Sequence, residues 1–125
     1  MDQTQLDDFV ARYMRMWHEP DAARRHEIVR GLWADDAENY SRTFVVRGLA
    51  EIIARVDRAH HEWVATRGFV FRPVGDAGTH HHLVTFHWEM LPGAGGPIEA
   101  RGLDIFVLRD DARIASLYQF GEPLP

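Results

Sequence analysis

The chain contains no cysteine, which excludes disulfides, thiolate metal sites and thiol nucleophiles. It has no run of three basic residues, and 14 Lys and Arg against 19 Asp and Glu give a net charge of −5. That balance offers no electrostatic footprint for nucleic acid or for an anionic membrane. No stretch approaches the roughly 18 apolar residues that span a bilayer. The first residues, Met1-Asp2-Gln3-Thr4, are polar and acidic, unlike a signal peptide. A cytoplasmic protein is the default expectation. Internal repeats and linkers are also lacking, so the 125 residues are read as one domain, long enough to bury a core without staples.

Helical spacing dominates the first half. Leu6, Phe9, Val10, Tyr13 and Trp17 recur on one stripe, with Asp2 or Thr4 as N-cap. Pro20-Asp21 stops this helix and opens a second, whose apolar face carries Ile28, Val29 and Leu32. Asp35-Asp36 reads as a turn, Thr43 to Val46 as a short strand, and a third helix starts near Gly48 with Leu49, Ile52, Ile53, Val56 and Trp63 inward. Beyond it the period changes to two. Phe69–Arg72, His80–Met90, Ile98–Leu108 and Arg113–Phe120 read as strands separated by Gly, Pro and Asp turns. Early helices followed by long hairpin-connected strands predict an α+β protein with a mostly antiparallel sheet. Strands of this length coil strongly into a cone wrapped around the N-terminal helices, with an internal pocket.

The chemistry centres on Asp104, the one acid in the apolar run Gly102 to Leu108. A carboxylate there either faces water or is desolvated inside, where its pKa rises. Apolar residues lie on both faces of the strand, so both are expected to be covered, and Asp104 is assigned to the cavity. Leu103, Ile105 and Val107 on the other face then predict a homodimer through the sheet. Parity groups His82 with Val84, Phe86 and Trp88 on the interior row, which makes His82 the candidate base near neutral pH. His80 and His82 share a strand face, but a zinc site needs further ligands, and His60, His61 or Glu62 complete no motif of the expected spacing. No metal and no cofactor are expected. Trp17, Tyr40, Trp63, Val84, Phe86, Trp88 and Phe106 are the candidate apolar lining. Arg42 and Arg55 are candidates for an anionic substrate, set against the usual solvent-facing place of arginines on a short strand and a helix.

Ordered landmarks carry a family likeness: Val10-Ala11-Arg12-Tyr13, Leu32-Trp33-Ala34-Asp35-Asp36-Ala37, Val46-Arg47-Gly48, His81-His82 with Phe86-His87-Trp88-Glu89, Gly102-Leu103-Asp104 and Asp111-Ala112-Arg113-Ile114. In this order and spacing the chain resembles the nuclear transport factor 2-like superfamily, and within it the SnoaL-like group. The fold implied hosts isomerases, dehydratases, cyclases, hydrolases and non-catalytic binders. Tyr13 and Asp104 also resemble the donor pair of the ketosteroid isomerase branch, where a tyrosine and a protonated aspartate donate to an enolate oxygen. The branch's general base matches Ser41 here, and serine without a partner cannot replace it.

Two functions follow as expectations. One is a cofactor-independent acid–base enzyme of isomerase, cyclase or dehydratase type, with Asp104 and Tyr13 polarising an oxygen and His82 moving the proton of a small apolar substrate. The alternative is a non-catalytic module of the same fold that binds a small ligand or serves as a dimeric interaction domain.

Overall fold

The computed structural model describes residues 1–124. Helix α1 (Gln3–His18) is set by Asp2, whose side chain accepts from the Gln5 backbone N–H while Gln5 returns a bond to the Asp2 backbone. This capping box satisfies two otherwise unpaired donors. Helix α2 (Ala22–Leu32) is capped by Asp21, which accepts from the Arg24 N–H. Helix α3 (Leu49–Ala59) opens at Gly48, whose φ of +82° a larger residue would adopt only with strain. It continues into a π-helical segment, His60–Thr66.

Seven strands form one sheet: β1 (Trp33–Tyr40), β2 (Val45–Arg47), β3 (Phe69–Pro73), β4 (Gly78–His80), β5 (Leu83–Pro92), β6 (Ala100–Leu108) and β7 (Ile114–Glu122). Their order is β2-β1-β7-β6-β5-β3, with β4 also paired to β5. Every pairing is antiparallel except β1 with β7, where the chain returns from the helical half in parallel register. The architecture is the expected α+β arrangement, a mostly antiparallel curved sheet against which the helices pack. Phe9 and Tyr13 of α1 pack on Phe106 of the sheet, Tyr13 also on Phe86, while Trp17 meets Phe71 of β3. Tyr13 meets Phe106 edge-on at 4.8 Å, and the two phenylalanines stack at 5.4 Å.

Two sequence readings are corrected. Asp35-Asp36 lies within β1, and the turn comes later, at residues 41–44. The long strand expected over His80–Met90 is two strands joined by a two-residue turn at His81-His82, with His80 paired to Leu83. His81 takes a φ of +52° to make that turn. No glycine, proline or asparagine marks it, so alternation alone reads straight through.

Gly102 holds a position that only glycine fits. A Cβ there would stand 2.5 Å from the Trp88 ring and 2.8 Å from the Phe120 carbonyl oxygen. Gly102→Ala is therefore expected to displace the Trp88 indole and to destabilise the fold by about 1–3 kcal/mol, the usual range for overpacking. Urea titration followed by Trp fluorescence checks this, and unchanged stability with an unchanged emission maximum would contradict it.

Candidate functional site

Three neighbouring strands and one helix build the site. Asp104 on β6 is opposite Phe86 on β5 and Gln119 on β7, and Trp88 is opposite Gly102. Period-two alternation puts all of these on the concave face. Asp104 is 1% exposed. The Tyr13 hydroxyl donates to its Oδ2 at 2.9 Å, and the Trp88 indole N–H donates to its Oδ1 at 3.0 Å. The Gln119 amide donates to Oδ1 at 3.4 Å. The orientation of Gln119 is fixed from behind, because its Oε1 accepts from Arg55 Nη2 at 2.8 Å and from Asn39 Nδ2 at 3.1 Å. Arg55 thus faces Asp104 through one amide.

An indole N–H can only donate. With three donors aimed at it, Asp104 is arranged as a carboxylate acceptor, unlike the protonated donor that the isomerase resemblance implies. Burial nevertheless pushes its pKa up to about 6, against the lowering effect of the Trp88, Tyr13 and Gln119 hydrogen bonds and the Arg55 charge. Burial, reinforced by the carboxylate, holds the Tyr13 hydroxyl well above its ordinary value, so it remains a donor. Desolvation lowers the Arg55 guanidinium, while Tyr13 and Asp104 favour its charge.

The pocket is a cavity of about 280 Å³ walled by Tyr13, Trp17, Trp63, Phe71, Trp88 and Met90, with Arg55, Asp104 and Gln119 as its polar groups. Trp17, Trp63 and Trp88 therefore stand where ligand contacts were expected. Val84, Phe86 and Phe106 do not line it; they pack in the core beneath Tyr13, each at most 1% exposed. Tyr40 is a clearer correction. It points to the convex face, stacks on Tyr118 at 4.9 Å and donates to Glu38 at 2.8 Å, because Asn39 takes the inward place on β1.

His82 is also corrected. Its side chain is 61% exposed and lies 2.9 Å from Asp110, outside the cavity. The turn at His81-His82 breaks the alternation that would have carried it inward. Ser41 sits in the loop between β1 and β2, where its hydroxyl accepts from the backbone N–H groups of Thr43 and Phe44. Among the described residues no three His, Asp or Glu side chains converge to hold a metal ion.

Arg55 and Gln119 were the polar residues with readable signals. Arg55 stands three residues after Ile52 and four before Ala59 on the inward helical stripe. Gln119 is a lone amide between Tyr118 and Phe120 on an apolar strand.

Comparison with known proteins defines the fold. No family model matches the sequence, nor does any curated protein. Among solved structures, a SnoaL-like family protein from Agrobacterium tumefaciens str. C58 aligns over 97% of this chain and 100% of its own, at 24% identity and a TM-score of 0.85. A SnoaL-like protein of unknown function from Burkholderia thailandensis E264 covers 98% of both chains at 15% identity and a TM-score of 0.73. A Sinorhizobium meliloti protein aligns over 95% of this chain and 99% of its own, at 18% identity and a TM-score of 0.69. The chain has the SnoaL-like form of the nuclear transport factor 2-like fold. Among the described residues no helix is long and apolar enough to cross a membrane.

Because the pKa of Asp104 is raised, the folded state holds a proton that the unfolded chain has already released between about pH 4 and pH 6. Stability from this group therefore falls as pH rises through that window and levels off above it, by about 3 kcal/mol at most. Asp104→Asn removes the ionisation. The wild-type minus variant difference in unfolding free energy is expected to decline from pH 4 to pH 7, and a flat difference would contradict the burial of a titrating acid.

Proposed function

We propose that the chain is a cofactor-independent acid–base enzyme of isomerase, cyclase or dehydratase type, acting on a small apolar oxygenated molecule in the cone cavity. The observation that carries this is Asp104, a buried cavity carboxylate held by three donors with a pKa near 6, so that both protonation states are accessible near neutrality. Trp17, Trp63 and Phe71 offer apolar walls, and Arg55 is the cation toward which a developing oxyanion would turn. The isomerase activity proposed for the Agrobacterium protein and the polyketide cyclase activity proposed for the Sinorhizobium protein belong to this reaction group.

A second reading has its own support. With His82 outside, the cavity has no second group that titrates near neutral pH, which suits a non-catalytic ligand-binding module. Turnover of a panel of cyclic ketones, β-hydroxy ketones and polyketide-like enols separates the two. For any substrate found, Asp104→Asn is expected to lower kcat roughly 10²–10⁴-fold, the range of a general acid–base group, and His82→Ala to leave it unchanged. Full activity in Asp104→Asn would sink the enzymatic role of the aspartate. Binding without turnover across the panel would favour the second reading.

The convex face supports homodimerisation. Leu103 and Ile105 of β6 continue into Tyr118 and Phe120 of β7, each of these two 42% exposed, and on to Tyr40 and Val45. Charged pairs flank this band: Glu38 with Arg47 at one end, and His87 with Asp76 and Glu122 at the other. An apolar centre with a polar rim suits a two-fold interface, in which one patch meets its own copy. Sedimentation at tens of micromolar is expected to give a dimer mass, and Tyr118→Glu a monomer. A monomeric wild type would exclude the interface.

A further inference from the structure

We infer that the cavity binds an organic monoanion through its carboxylate, with the Arg55 guanidinium as the seat and the aromatic walls around the ligand's apolar body. The inference rests on the cavity being the working site, as proposed above, and adds the charge of what it takes.

Arg55 is placed as a receptor rather than as a structural ion pair. Among the described residues no carboxylate contacts it directly, and Asp104 is linked to it through Gln119. Its guanidinium carbon lies 5.2 Å from the Trp17 ring centroid and 4.6 Å from that of Phe44, which holds the planar group between two aromatic side chains. Nη2 is used by Gln119, Nε is sealed inside without a partner, and among the described residues Nη1 makes no hydrogen bond and is not sealed off. A guanidinium with a terminal nitrogen still unpaired at a cavity wall can take one more acceptor, and a carboxylate is the partner whose planar geometry fits it.

The surroundings agree in charge. Arg55, Trp88 and Gln119 form a wall shared by the cavity and a shallow groove of about 320 Å³ under the loop of residues 41–44. That groove is lined by Arg42 as well as Arg55 and by no acidic residue, on a chain whose net charge is −5. A local cationic concavity on an acidic protein draws anions to one place. The cavity volume of about 280 Å³ suits a body of one or two rings.

Seating an anion beside Asp104 favours its neutral form. The groups facing that carboxylate are Tyr13 from α1, Arg55 from α3, Trp88 from β5 and Gln119 from β7. Of its three direct donors, only the Tyr13 hydroxyl can turn to accept a hydrogen bond from the neutral acid, since indole N–H is a fixed donor and Gln119 is pinned by Arg55 and Asn39. Anion binding at pH 7 therefore carries proton uptake, and affinity falls as pH rises above about 6.

Calorimetry with 2-naphthoate and its neutral counterpart 2-naphthamide tests this on the wild-type chain. Naphthoate is expected to bind roughly 10- to 100-fold tighter, the effect of one charge-assisted hydrogen bond. Its binding enthalpy at pH 7 should differ between phosphate and Tris by an amount that reports proton uptake, while that of naphthamide should not. Arg55→Gln should abolish the preference and Asp104→Asn the uptake. Equal affinities, no naphthoate binding at millimolar concentration, or a preference that survives in Arg55→Gln would overturn the inference. The comparison on the wild type needs no variant to fold. Because it reads binding and not turnover, an inactive chain that prefers naphthoate would leave this inference standing while removing the enzymatic one.

Discussion

The burial of a single carboxylate is the constraint around which the interior is arranged. Taking Asp104 out of water is strongly unfavourable unless donors replace the lost solvent. Those donors come from three places that the fold must align: Tyr13 from the first helix, Trp88 from β5 and Gln119 from β7. Each has its own requirement. Tyr13 reaches the acid because α1 lies edge-on over Phe86 and Phe106. Trp88 lies across β6 because residue 102 has no side chain. Gln119 presents its amine because Arg55 and Asn39 occupy its carbonyl. The compensation is incomplete, and the remaining desolvation is what leaves the acid near pH 6.

This arrangement explains which parts of the molecule could be read in advance. Element types and the α+β class follow from periodicity, which is a local property: the stripe Leu6 to Trp17 and the alternation in β6 each specify their own buried face. Asp104 was legible for the same reason, as an acid breaking an apolar alternation. His82 was misplaced because the His81-His82 turn carries none of the usual turn residues, so the row Val84-Phe86-Trp88 was extended too far. Tyr40 failed similarly, through a turn placed at Asp35-Asp36 instead of beyond Tyr40. For Arg55 the general tendency of arginines to face water competes with the candidacy for an anionic substrate. Its helical position, on the same stripe as Ile52 and Ala59, was the more specific signal. What no local pattern contains is the convergence of Gln119, Asn39 and Arg55, which depends on sheet register and on where α3 crosses the cone mouth.

Strand β6 ties the two faces of the protein together. Its inward residues, Asp104 and Phe106, belong to the site and its floor, while Leu103 and Ile105 alternate onto the convex band. In the single chain the inward side of β6 is buried and its convex side half-buried; under the proposed dimer both faces would be covered, and a strand covered on both faces loses freedom that a solvated strand keeps. Association through the convex face would stiffen β6 and β7 together. These are the strands that supply Asp104 and Gln119.

A lone titrating carboxylate raises the question of where its proton comes from, and charge balance gives an answer. In the proposed acid–base role, Asp104 would meet a neutral ligand ionised, and accepting a proton from carbon would transfer its negative charge to the ligand oxygen, nearer Arg55. No new charge is created in the dry cavity, and the ion pair is only relocated. With an anionic ligand seated on Arg55, as inferred above, the same site would take its proton from solvent on binding and act as an acid, which is what loss of a hydroxyl group needs. That no histidine lines the cavity is then no obstacle to the proposed chemistry. On the proposed reading, one carboxylate facing one arginine would serve either direction of proton transfer, with the charge of the ligand selecting between them.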